Sequence, residues 1–169
     1  MPLRRFAPVA LALIAILPLR AQDDFKSTVV KHLKTSREFS VKVAQAMPEA
    51  TYDFKLTPEQ MSFAEQMIHL SQGLTYFLAP FAGQQPKPVK PKSKTKADVV
   101  SFMQIQYDDA IAKVGALTSD QISKTYKDGK ESNTGYDLLL GMLDHCTHHR
   151  ASAEMYLRAK GVTPPQYEF

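Results

Sequence analysis

Apolar residues along this chain recur every three or four positions rather than every second one, the spacing that gathers them on one side of an α-helix. Over residues 23–47 the stripe is Phe25, Val29, Leu33, Phe39, Val43 and Met47, with Lys31, Lys34, Arg37 and Lys42 on the wet side. Pro48 ends this helix, and residues 49–56 read as an extended link. Thr57-Pro58-Glu59-Gln60 has the chemistry of a helix start: a hydroxyl cap, a proline for the first turn and a glutamine to complete a capping box. Phe63, Met67, Leu70, Leu74, Phe77 and Leu78 line the second helix, which Pro80 closes. Thr95, with Asp98 three residues on, caps a third helix whose apolar side is Val99, Phe102, Ile105, Ile111 and Val114, ending near Gly115. A helical turn over residues 119–123 and a polar loop over 127–133 follow. Thr134 or Asn133 starts the last helix. Leu138, Leu139, Met142, His145, His149 and Met155 outline its inward side, and Leu157 extends the apolar surface. Gly161 terminates it and Pro164-Pro165 prevents its resumption. Neither strand alternation nor an internal repeat stands out. The pattern predicts an all-α chain, four long helices packed antiparallel as a four-helix bundle.

The first 21 residues differ from the rest. Arg4 and Arg5 precede an almost wholly apolar run over residues 6–19, and Leu19-Arg20-Ala21 offers a small residue for cleavage before Gln22. This is the layout of an export signal. Pro8 and Pro18 interrupt a run already too short for a membrane span. A retained N-terminal anchor is the alternative. The expectation is cleavage after Ala21, a single domain over 22–169, a periplasmic or extracellular location, and no stable membrane anchor afterwards. Cleavage would remove three arginines and no acids, bringing the formal charge from +4 to +1. The basic balance therefore owes much to the leader.

Residues 84–96 carry five lysines and three prolines without an acid. No aromatic residues interleave the run, so it reads as a solvated inter-helix loop, and no nucleic-acid partner is expected. The one cysteine, Cys146, allows no intramolecular disulfide. Stability must come from packing.

The chemistry concentrates in Asp144-His145-Cys146-Thr147-His148-His149-Arg150, which holds three of the five histidines. Residues four apart on a helix share a face, so His145 and His149 point the same way one turn apart and can hold a metal ion. Two imidazoles make an incomplete site. His69, beside the second helix's apolar stripe, is the candidate third ligand; a boundary histidine with an ordinary hydrogen bond is the plainer reading. His32 reads as a surface or boundary residue. Three neutral imidazoles suit zinc or nickel and leave positions open for water or substrate. A divalent ion there could lower the pKa of water or stabilise a thiolate. Asp144, Thr147 and His148 are candidates for hydrogen bonds to the ligands, and Asp144 for a general base. Cys146 reads as a buried, inert residue, with an extra ligand or reactive thiol as the alternatives.

The run 144–150, followed by Tyr156-Leu157-Arg158-Ala159-Lys160-Gly161-Val162-Thr163-Pro164-Pro165, resembles the end of DinB-like proteins. Leu56-Thr57-Pro58-Glu59-Gln60-Met61-Ser62-Phe63, with His69 soon after, resembles that family's second helix. The resemblance covers essentially the chain after the leader. It implies a four-helix bundle of DinB type, often dimeric, with a three-histidine divalent-metal site, here His69, His145 and His149. His148 matches a histidine that relatives often carry before the last ligand and that is not normally a ligand. Many relatives continue with glycine and glutamine where this chain has Ala151-Ser152, which puts the surroundings of the ligands, and the chemistry, in question. Characterised relatives include thiol-dependent S-transferases and other metal-dependent enzymes. The resemblance thus implies either an exported thiol S-transferase or hydrolase with a small-molecule substrate, or a non-catalytic metal-binding or interaction domain. Low-molecular-weight thiols are mainly cytoplasmic, which weighs against the transferase if the chain is exported.

Overall fold

The computed structural model describes residues 10–128 and 131–167, with side chains from 24 to 127 and from 132 to 167. The described residues are mostly helical: α1 Ala10–Ala46, α2 Phe63–Leu78, α3 Lys96–Ala116, a short α4 Ser119–Ser123 and α5 Gly135–Ala159. Residues 1–9 of the expected leader lie outside the described residues. From Ala10 the backbone runs as one helix through Ala21 and Gln22. Among the described residues no helix is long and apolar enough to cross a membrane.

Among the described residues, α1, α2, α3 and α5 pack around a common core. Val29, Leu33, Phe39, Val43 and Met47 of the first stripe are buried, as are Phe63, Met67, Leu70 and Leu74 of the second. Each fully buried side chain of this size contributes about 1.5–3 kcal/mol. α1 packs on α3 and α5, and α2 on the same two partners. Directions follow from the cross-links. Lys26 Nζ reaches the Leu117 carbonyl and Ser36 Oγ meets the Tyr107 hydroxyl, so α1 and α3 are antiparallel. Gln66 meets His149 while Phe77 lies beside Gly141, so α2 and α5 are antiparallel too. Phe25 packs on Tyr136 and Ser36 on Arg150, however, so α1 and α5 run parallel. Lys94 bonds Glu65 and Thr75 bonds Gln106, so α2 and α3 also run parallel. The purely antiparallel arrangement is thus corrected. The cause is the proline–lysine segment between α2 and α3, which returns along the whole of α2 before α3 begins. Gln72 Nε2 donates to the Val89 carbonyl at 2.7 Å and Lys94 Nζ to Glu65 Oε1 at 2.8 Å along the way.

Local signals set most helix ends. Thr95 accepts from the Asp98 amide, and Thr134 and Asp137 form a reciprocal capping box. Gly161 takes the left-handed φ of 71° just beyond α5. The second helix starts later than Thr57-Pro58 suggests. Ser62 is its cap, boxed with Glu65. The reason is tertiary: the first-turn amides of Phe63 and Ala64 already donate to the Phe54 and Tyr52 carbonyls, both at 2.9 Å. Tyr52 is buried, so residues 49–56 are a packed corner with a 3-10 turn, not an extended link. The expected loop over 127–133 is corrected as well. Thr125–Asp128 and Glu131–Thr134 pair as antiparallel strands β1 and β2, through backbone hydrogen bonds that need no apolar alternation. Ile105 and Met155, expected inside, are 60% and 56% exposed. Met103, Tyr107 and Ala110 on α3, and Cys146, Ala153 and Tyr156 on α5, hold the inward positions instead.

Candidate metal centre

α5 begins at a fixed point, the Thr134–Asp137 box, and its packed side runs Leu139, Met142, Cys146, Ala153, Leu157. His145 and His149 flank that side, half-buried against α2. From α2, the stripe Met67, Leu70, Leu74 faces the core, which turns His69 towards α5. The three rings converge: centroid separations are 5.1 Å for His69–His145, 4.6 Å for His69–His149 and 4.5 Å for His145–His149. One nitrogen from each lies within 4.8 Å of the others, so the trio could hold a divalent metal ion. The spacing-based pair and its third partner are therefore brought together.

The electrostatics fit such an ion. Burial, and then the neighbouring imidazoles, hold His145 and His149 down to about 4, so both are neutral near pH 7. Neutral imidazole has the lone pair that coordination needs. His149 Nδ1 lies 2.7 Å from Gln66 Oε1. An amide oxygen only accepts, so Nδ1 carries the proton and Nε2 is left as the donor atom. Among the described residues His145 Nδ1 is buried without a hydrogen-bond partner. A buried nitrogen with no partner costs about 1–3 kcal/mol, which ligation or a water would relieve.

Gly73 admits His145. A Cβ on Gly73 would stand 2.3 Å from both Cε1 and Nδ1 of that ring, so only a residue without one lets the imidazole lie against α2. Neither Gly73 nor Gln66 was marked by the sequence. Gln66 sits one turn before His69 on the same helix, but nothing in α2 alone says that it reaches α5.

The cluster opens onto a cavity of about 590 Å³ lined by His69 and His145, by Tyr76, Phe77 and Gln72, and by Pro86–Val89. The segment read as a solvated loop is therefore partly a wall, held by the Gln72–Val89 bond. On its other side His69 lines a second cavity of about 420 Å³ with Lys90 and Lys94. The remaining candidates are not part of the converging trio. His148 is exposed, its ring 4.8 Å from that of His149, and Asp144 and Thr147 are exposed too. His32 is on α1, away from the cluster. Cys146 turns into the core towards Tyr107, where burial pushes its thiol up to about 12. It is not in the cluster.

A model of the DinB family matches residues 21–169. The chain belongs to the DinB family. Two solved DinB-like proteins share its fold. One is YjoA from Bacillus subtilis, with TM-score 0.72 and 19% identity over 83% of this chain and 96% of that one. The other is from Bacillus cereus, with TM-score 0.72 and 12% identity over 83% of this chain and 95% of its own. No curated protein matches. At such identities the likeness to these DinB structures establishes the fold alone, and the chemistry rests on the histidine cluster.

Proposed function

We propose that this DinB-family chain is an exported four-helix-bundle metalloenzyme, a thiol S-transferase or a hydrolase, with His69, His145 and His149 holding zinc or nickel. The observation that carries the reading is the convergence of three imidazole nitrogens within 4.8 Å beside a cavity that two of the same rings line. A bound divalent ion supplies Lewis acidity towards a thiol, a water or a carbonyl group. The protein's own part is positioning. Gln66 orients His149, Gly73 seats His145, and Phe77, Pro86 and Val89 shield one side of the site from water. Those lining groups suit a small molecule with an apolar portion, and exposed Lys87 at the edge suits an acidic one. The rival reading, a bundle that holds a metal without turnover, is favoured by the absence of a carboxylate base from the cluster among the described residues.

Calorimetric titration of metal-free protein with zinc and nickel tests the site. Alanine at His69, His145 or His149 should each lower affinity at least tenfold, whereas His32→Ala should not. Equal affinity in all four variants would remove the assignment. Screening metal-loaded protein for thiol transfer and for ester or amide hydrolysis, with the same alanine controls, separates enzyme from metal-binding domain. Export rests on residues 1–21: protein from the native host should start at or near Gln22 by mass spectrometry, and intact Met1 recovered from the cytoplasm would contradict it. A homodimer is a further part of the proposal, and a concentration-independent monomer in sedimentation would exclude it.

A further inference from the structure

The other flank of α5 carries a second polar centre that the histidine chemistry does not use. Arg150, next to His149 in sequence, points the opposite way, into the seam between α5 and α1, and is only 5% exposed. Its Nη1 donates to Ser36 Oγ at 3.1 Å, and its guanidinium lies 4.7 Å from the centre of the Phe39 ring. Ser36 Oγ also meets the Tyr107 hydroxyl at 2.9 Å, and that hydroxyl meets Ser40 Oγ at 3.1 Å. Among the described residues no carboxylate pairs with Arg150; ion pairs such as Arg37–Asp108, Lys94–Glu65 and Lys113–Asp109 lie elsewhere. Glu154, one turn on, feels its charge but makes no contact with it, and burial keeps that carboxyl above its usual range. Burying a guanidinium without a counter-ion is costly.

Arg150 lines a cavity of about 110 Å³ together with Ser36, Thr35, Thr147, His32 and Tyr167. Among the described residues that line it, Thr35, Ser36, Thr147 and Tyr167 carry hydroxyls and none is a carboxylate. The space is too small for a nucleotide or a peptide and large enough for one planar or tetrahedral oxyanion. Arginine offers five N–H donors in a rigid fork that matches the paired oxygens of carboxylate or phosphate. One of those donors is engaged with Ser36, which leaves the fork free to engage an anion.

We infer that the cleft between α1 and α5 is a second ligand site, one that takes a small oxyanion, a carboxylate or a phosphate group, on Arg150 with the hydroxyls of Thr35 and Thr147. The site is separate from the histidine cluster and does not depend on a metal being bound there.

The test is a titration of the full metal-free chain with inorganic phosphate and, separately, with acetate. Chloride replaces them to hold ionic strength constant, and backbone amide shifts are the readout. Saturable shifts at residues 35–36 and 147–150 are expected with at least one of the two anions, and which one saturates assigns the class. Thr147→Val removes an exposed hydroxyl without changing side-chain shape and should weaken binding about tenfold with the melting temperature unchanged. Arg150→Lys keeps the charge but loses the fork, and should weaken it further. His69→Ala should bind the anion as the unmodified chain does. The inference is overturned if neither anion saturates, if Thr147→Val and Arg150→Lys both bind unchanged, or if His69→Ala abolishes the shifts. The last result would move the anion to the histidines.

Discussion

Replacing Gly73 by alanine isolates the one close approach on which the cluster depends. The new methyl would lie 2.3 Å from Cε1 and Nδ1 of His145, whereas ordinary contact begins near 3.4 Å. The ring must therefore retreat by about 1 Å, roughly five times the ±0.2 Å within which metal–ligand distances are held. His145 is a half-buried side chain, so it can swing aside without moving either helix. Alanine is also the better helix former in a helix interior by about 0.5–1 kcal/mol. The two effects act on different quantities. The fold of the metal-free protein should hold or improve, while zinc affinity should fall by about a hundredfold, or ~2.8 kcal/mol. Thermal melts by circular dichroism of the metal-free protein and zinc titration against a competing chelator measure the two separately. Zinc affinity within threefold of the unmodified chain would refute the reasoning. A collapse in metal-free stability would equally refute the claim that Gly73 serves the site rather than the fold.

Gln66→Ala removes the acceptor that fixes His149 Nδ1 and should weaken metal binding about 10- to 100-fold in the same titration, with little change in melting temperature. His145 and His149 are held down to about 4 from an ordinary 6.5, so the unfolded chain binds more protons between those values. Their contribution to metal-free stability should be fully present above about pH 6.5 and lost as pH falls towards 4; urea midpoints that do not drop across that window would contradict it. Cys146 is fully buried with its thiol pushed up to about 12, so a disulfide-exchange reagent at pH 8 should leave it unmodified in the native protein and react with it in denaturant.

Much of this protein is written in short-range terms. The capping pairs Thr95–Asp98 and Thr134–Asp137 and the left-handed Gly161 each depend on residues within a turn of one another, and all three stand where the sequence puts them. The pairing of His145 with His149 is equally local, because helical geometry alone stacks residues four apart. His69 was a candidate third ligand from its place beside the apolar stripe, and the family pattern strengthened it, but nothing in α2 by itself says which neighbour it faces. Tertiary structure decided what depends on long-range contact. Thr57 has the composition of a cap, but the Tyr52 and Phe54 carbonyls claim the first amides of α2, and the helix starts at Ser62. The lysine–proline segment reads as solvated by composition. It becomes a cavity wall because it must travel back along α2, about 24 Å for its 16 residues, before α3 can begin. Met155 and Arg150 show the same limit. A stripe drawn by residue type puts the methionine inside, yet packing against α1 buries Arg150 and leaves Met155 in solvent. Helical periodicity defines which residues share a side. Only the neighbours a helix meets decide which side is covered, and those neighbours come from elsewhere in the chain.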